Sequence, residues 1–359
     1  MRNFVGSALF FLGLAALVLT PAIGAPRPQA DEVAPQRGGG GAQDKEVSRH
    51  PLAWAYASAL EGAPEAAPVE NPQRDDGKLR HLPDSTLAFT MAQINNRFGP
   101  ADWFPGDHPQ MPEVVAHGRK PDGASRIRRD ERACAFCHYP NGKGLPENAG
   151  LAGLSAAYIL RQLSDFASGA RKSMYPGQEM IDMTHIASRL TEEEANDAAN
   201  YFSSMRWTPW VKVVETDTVP KTHRAGAYFL ADPGNETISV GQTLLEVPAD
   251  SELRSFRDPH SGLIAYVPPG TLKKGQALVL GGGGGKTLAC AACHGEGLKG
   301  NGYFPSLAGR DPTYLGRQLY DFRHFSRVGP GAQLMQPIVK NLSEDDIVAI
   351  VAYIGSLTP

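Results

Sequence analysis

All four cysteines of this 359-residue chain fall into two pentapeptides, Cys134-Ala135-Phe136-Cys137-His138 and Cys290-Ala291-Ala292-Cys293-His294. Two thiols three positions apart, followed at once by histidine, form the attachment pattern of c-type haem: the thiols make thioethers to the two vinyl groups of one porphyrin, and the histidine reaches its iron. Other chemistries of the same residues are weaker. A structural zinc site calls for a second cysteine pair within ~15 to 20 residues, whereas Cys137 and Cys290 lie far apart and each copy offers three ligands. A thioredoxin-like dithiol needs a βαβ setting, which the helical periodicity here does not supply. Disulfides would leave both histidines and the duplication unexplained.

The elements that must position these residues are themselves duplicated. Shifting the chain by 156 positions lays Cys134 on Cys290 and, without a gap, Leu151-Ala152-Gly153 on Leu307-Ala308-Gly309. The same shift matches Tyr158 with Tyr314, Arg161-Gln162-Leu163 with Arg317-Gln318-Leu319, Asp165-Phe166 with Asp321-Phe322, and Arg171 with Arg327. A four-residue deletion then brings Met183 onto Met335, Leu190 onto Leu342 and Tyr201 onto Tyr353. Each copy closes with a helix: Thr191 to Glu194 reads as a capping box, Ser343 to Asp346 as a weaker one, and Ala195, Ala198, Ala199, Phe202 against Ile347, Ile350, Val351, Ile354 form one-sided stripes. Further helices are predicted around Tyr158 and Tyr314, and before each cysteine pair near Pro112–Gly118 and Thr271–Leu280.

The fold class predicted is mainly α, with two small modules at 111–206 and 271–359. Modules of this size bury little surface alone and need a staple or a bound group, which the cysteine motifs supply. Between them, Val211–Val214, Thr243–Val247 and Leu263–Val267 are β-branched runs bounded by Pro or Gly, so 207–270 reads as a small β-rich insert. Gly281 to Gly285 lacks the spacing of a phosphate-binding loop. Arg2, the apolar run Phe4–Leu19 and the small residues up to Ala25 have the layout of a signal peptide over 1–25. Its removal would take the net charge from -3 to -4; left uncleaved, it would anchor the chain in a membrane. Residues 26–110 read as a flexible tether followed by an extended strap, Phe98–Met111, packed over a module and covering a haem edge. A near-neutral balance with 20% charged residues excludes a nucleic-acid binder.

The pentapeptide, the Leu-Ala-Gly turn, the Tyr-x-x-Arg-Gln-Leu helix, a methionine and a final helix bearing tyrosine together resemble class I cytochrome c, over about 185 of 359 residues. Two such modules in one exported chain resemble the dihaem cytochromes of the c4 type. The resemblance implies two covalent haem c groups on Cys134, Cys137, Cys290 and Cys293, with iron held by His138 and His294 on one face and by Met183 and Met335 on the other. Met180, Met174 and His185 are rivals of Met183, while Met205 reads as core. It also implies a backbone carbonyl holding each histidine: Pro305 in the second module and Ala149, in a less rigid segment, in the first. Unequal potentials are the expectation. Arg161, Arg317, Arg171, Arg327, Tyr158 and Tyr314 are candidates for the haem propionates, or else solvated arginines and core rings.

The function expected is a periplasmic carrier of single electrons, taking them from a dehydrogenase and passing them to an oxidase or another cytochrome. The alternatives need an open iron: a peroxidase-like or thiosulfate-oxidising dihaem enzyme, or a gas sensor. A cytochrome subunit of a larger dehydrogenase keeps the chemistry and changes the partner.

Overall fold

The computed structural model describes residues 54–57, 75–119 and 132–359. The leader and tether readings for 1–48 lie outside them. None of the helices among the described residues is long and apolar enough to cross a membrane.

The end of the stretch read as a tether and the expected strap, Phe98–Met111, share a core of their own. Arg80–His81 (β1) pairs antiparallel with Ala88–Phe89 (β2), and Met91–Ile94 (α1) follows under a Thr90/Gln93 capping box. Trp103 is buried against Leu82, Met91 and Ile94, and its Nε1–H donates to the Phe256 carbonyl at 2.8 Å. Four residues assigned by composition to the tether region, Trp54 to Ala57, are also buried. Trp54 packs edge-on against Tyr320, and the Tyr56 hydroxyl donates to Asp321 Oδ1 at 2.8 Å. The two large rings fall in an apolar run, 51–60, that the composition of the tether as a whole conceals.

The first module comprises Glu113–Ala116 (α2), Cys134–His138 (α3), Ala156–Ala167 (α4), Gln178–Ala187 (α5) and Glu192–Ser203 (α6). Ser155 caps α4, and α6 starts with the complete Thr191/Glu194 box. Between the modules run Val211–Glu215 (β3), Thr218–Pro220 (β4), Thr222–Ala225 (β5), Tyr228–Ala231 (β6), Thr237–Ser239 (β7), Leu245–Pro248 (β8), Ser251–Ser255 (α7) and Leu263–Val267 (β9). Strands β3, β9 and β8 form one sheet in that order, β3 parallel and β8 antiparallel to β9; β4 pairs with β7, and β5 with β6. Alternation along β9 sends Leu263, Ala265 and Val267 inward. Ala265 and Val267 join the same apolar cluster as the last helices, so this sheet extends the second module's core.

That module follows with Thr271–Gly281 (α8), Ala291–His294 (α9), Pro312–Arg323 (α10), Pro330–Val339 (α11) and Glu344–Ser356 (α12). Asp311 caps α10 with Pro312 at its first turn. The Ser343/Asp346 box on α12 is complete, because the shorter Asp346 still accepts from Ser343 N at 3.0 Å while Lys274 and Lys286 hold it from outside. Helix α8 crosses α12 closely enough that a Cβ on Gly275 would stand 2.0 Å from the Ala349 carbonyl oxygen. The glycine run ends α8 in left-handed backbone from Gly282 onward, so it closes a helix where a phosphate-binding loop would open one. Glu246 of β8 and the cap Asp311 are both buried; burial raises both carboxyls, Glu246 further through the charge and hydrogen bond of Asp311, while Asp311, lowered in turn by its hydrogen bond with Glu246, stands at about 6.

Candidate functional site

Each pentapeptide coils into a single short turn that turns its histidine inward. His138 and His294 are buried, and Nδ1 of each lies 2.8 Å from a backbone carbonyl, Ala149 and Pro305 respectively. A carbonyl can only accept, so Nδ1 carries the hydrogen and Nε2 keeps its lone pair for a metal. Burial lowers the basicity of both rings, which keeps them neutral. The equal lengths show that the acceptor is equally well placed without proline in the first copy. The four cysteines form no disulfides, and burial pushes Cys134 up to about 12 and Cys290 to about 11. Among the described residues no three His, Cys, Asp or Glu side chains converge on a common metal position, against the zinc reading.

A cleft of ≈ 1030 Å³ opens in front of His294, walled by Leu307, Leu315, Leu319, Phe322 and Met335. Its counterpart of ≈ 1040 Å³ in front of His138 is walled by Leu151, Ile159, Leu163, Phe166 and Met183. A flat apolar macrocycle held by one imidazole suits such a slot, and the donor set, a neutral nitrogen with a thioether sulfur within the same cleft, suits iron of either charge. Both methionines sit within helices, Met183 on α5 and Met335 on α11, neither of which the apolar spacing had indicated. Of the rivals, Met180 also lines the first cleft, His185 is exposed at the end of α5, and Met174 packs against the second module's core.

The two clefts share a wall. Arg171 donates to Gln162 Oε1 at 2.8 Å in its own module and to Tyr314 OH and Gln318 Oε1, at 2.8 and 2.9 Å, in the other. Arg327 mirrors it, donating to Gln318 Oε1 at 2.9 Å and to Gln162 Oε1 at 2.6 Å. The backbones of Arg171 and Arg327 form an antiparallel bridge. Both guanidinium groups are buried, so the solvated reading fails for this pair. Tyr158 and Gln162 line both clefts, as do Tyr314 and Gln318. Each cleft also receives an arginine from the opposite module: Arg317 enters the first and Arg161 the second. The glutamines were visible in the repeat but carried no singled-out role; their signal is that both copies keep them beside an arginine. Arg310 fastens the modules further, donating to the carbonyls of Gly150 and Ala152 at 2.9 and 3.0 Å and lying over the Trp207 ring.

Comparison with known proteins matches the family model "Cytochrome c" at residues 129–206 and again at 273–358. Cytochrome c4 of Azotobacter vinelandii is 27% identical over 230 residues, covering 62% of this chain and 84% of that protein. Cytochrome c-554(548) of Halomonas halodenitrificans is 39% identical over 72 residues, covering 20% of this chain and 87% of that protein. A thiosulfate dehydrogenase electron acceptor of Stutzerimonas stutzeri is 27% identical over 230 residues, covering 63% and 79%.

Proposed function

The chain belongs to the cytochrome c family, and from that premise we propose that it is an exported carrier that moves single electrons between redox partners in the periplasm. It is an electron-transfer cytochrome of the c4 kind with two covalently attached haem c groups. In this reading Cys134 and Cys137 hold one haem and Cys290 and Cys293 the other; His138 and Met183 bind the first iron, His294 and Met335 the second. The observation that carries it is the twofold recurrence of one cleft, with a buried Nδ1-bonded histidine and a methionine-bearing helix among its walls.

When bound, the haem supplies reversible exchange of one electron at iron. The chain's part is to keep that exchange cheap. The Ala149 and Pro305 carbonyls fix the imidazole planes and make the nitrogens better donors. Apolar walls exclude water, and the buried arginines on the shared wall offer positive charge where propionates would otherwise be desolvated unpaired. Partners of the donor type are dehydrogenases, and of the acceptor type oxidases or other cytochromes. The relative named as a thiosulfate dehydrogenase electron acceptor supports a second reading, in which the donor is a sulfur-compound dehydrogenase.

The test is the optical spectrum of the purified holoprotein, oxidised and reduced, with haem counted per chain and carbon monoxide added. Two low-spin haems indifferent to carbon monoxide are expected. A haem that binds it means an open iron, moves the enzyme and sensor readings forward and removes Met183 or Met335 as a ligand.

A further inference from the structure

The repeat makes the surfaces around the two pentapeptides comparable position by position, and they are finished in opposite ways. In the first module Arg132 and Asp182 form an ion pair at 2.7 Å, with side chains 11% exposed. The shifts that align the copies carry Arg132 to Leu288 and Asp182 to Leu334. Those two leucines are 60% and 58% exposed. The insert adds to the difference. Arg257 lies over the Phe136 ring and donates to the Phe136 carbonyl, covering the first pentapeptide, whereas Ala292, the counterpart of Phe136, is exposed. Cys293 is likewise exposed where Cys137 is half-buried.

The exposed positions form one face. Thr287 Oγ1 donates to the Ile338 carbonyl at 2.9 Å, which ties the residue before Leu288 to α11, the helix that bears Leu334 and Pro337. Pro337 is exposed and stands where the first module has His185. Leu288 and Pro337 lie outside the walls of the His294 cleft, with Leu334 at its mouth. Helix α5 carries Glu179, Asp182 and His185, while α11 and the stretch 287–293 carry no charged residue. Lys286, at the border, is compensated by Asp346 at 2.9 Å. Exposed apolar residues gathered around one spot mark a contact surface. A charged face set against this one would be desolvated with nothing to pair, so its complement is itself uncharged. A lipid surface or a second copy of the chain would seal the one pentapeptide that the insert leaves open; a redox protein makes use of it.

We propose that the face formed by Leu288, Ala292, Cys293, Leu334 and Pro337 is the docking surface for a redox protein whose own cofactor opens in an uncharged, apolar rim. The proposal rests on the assignment of haem to Cys290–His294, so haem content and the low-spin spectrum are measured first on the same samples.

The partner's chemistry is probed with electrodes: the holoprotein exchanges electrons with gold coated by methyl-, carboxylate- or ammonium-terminated alkanethiol monolayers of equal chain length. The fastest exchange is expected on the methyl surface, at a rate indifferent to ionic strength. Leu288→Glu and Leu288→Lys are each expected to slow it at least tenfold. Desolvation opposes contact for either sign of charge, whereas electrostatic steering would move the two variants in opposite directions. Leu79→Lys, which adds a charge to a leucine 58% exposed before β1, is the control and should leave the rate in place. Faster exchange on a charged monolayer, or Leu288 variants with two intact haems and unaltered rates, would overturn the proposal and leave the haem assignment standing. Sedimentation completes the test: self-association, or co-sedimentation with phosphatidylcholine vesicles, that Leu288→Lys abolishes would give the face to a second copy or to lipid and overturn it as well. Should a Leu288 variant fail to fold, the wild-type comparison of monolayers decides.

Discussion

Gly144 sits where a single methyl group would test how the first histidine is held. Its φ is +72°, and a Cβ there would stand 2.5 Å from the Ala149 carbonyl oxygen, the atom that accepts from His138 Nδ1 at 2.8 Å. Ordinary contact begins near 3.4 Å, so in Gly144→Ala that carbonyl or the glycine backbone must retreat by about 0.9 Å, enough to stretch the histidine bond out of range. Two effects add. The left-handed backbone costs alanine roughly 1 to 2 kcal/mol, and a lost hydrogen bond costs about 0.5 to 1.5 kcal/mol. The second term acts on iron, because an imidazole without its acceptor is a poorer donor and stabilises ferric iron less. If all of it separates the two oxidation states, the first haem's potential rises by up to about 60 mV, at 59 mV per tenfold change for one electron. The assay is an optical redox titration of the holoprotein, with a thermal melt beside it. Gly284→Ala is the control for strain alone, since it has φ +70° with nothing within 4 Å; it should lower stability and leave both potentials in place. A folded Gly144→Ala protein with two unshifted potentials would refute the idea that Ala149 tunes the histidine.

Three other outcomes are expected. The Glu246–Asp311 pair takes up a proton on folding above the ordinary carboxylate range, so bound protons are more numerous in the folded than the unfolded state, and stability falls as pH climbs from about 4 through about 6, by roughly 2 to 3 kcal/mol; Glu246→Gln replaces the shared proton with an amide donor, and urea midpoints from pH 4 to 7 should then flatten, an unchanged slope counting against the pairing. Gly275→Ala forces α8 away from the Ala349 carbonyl and should cost about 1 to 3 kcal/mol as an overpacked helix crossing; an unaltered melting temperature would mean that the crossing relaxes freely. The two haems should give separate redox waves with the first the higher, because Arg97, Arg132, Arg254 and Arg257 outnumber the carboxylates lining its cleft while Cys293 is exposed; coincident waves would contradict this.

What the sequence made legible was whatever the duplication repeated at fixed spacing. Thr191 and Ser343 announced helices that begin where a short side chain can satisfy a free amide, and the structure has both boxes complete. The carbonyls of Pro305 and Ala149 were expected to hold the two histidines, and both do so at the same distance, since the acceptor belongs to the backbone and is indifferent to side-chain type. Helices α5 and α11 went unseen because they wrap a cofactor cleft, where few residues are turned toward protein core and the apolar period is blurred. Trp54 and Tyr56 were missed for a different reason: their partners, Tyr320 and Asp321, lie far away in sequence, and no local pattern encodes contacts of that range.

The shared wall between the clefts has the form of an isologous contact: Arg171 reaches Gln318 and Tyr314 as Arg327 reaches Gln162, with the backbones bridged where the two arginines meet. Such reciprocity is what two identical subunits build around a dyad. Here both subunits belong to one polypeptide, so the partner is present at a fixed effective concentration set by the connecting chain, whatever the dilution. Because each arginine draws acceptors from across the axis, neither half carries a complete set for its own buried charge. The electron-carrying unit is therefore the pair, and tethering has converted an equilibrium between subunits into a property of a single molecule.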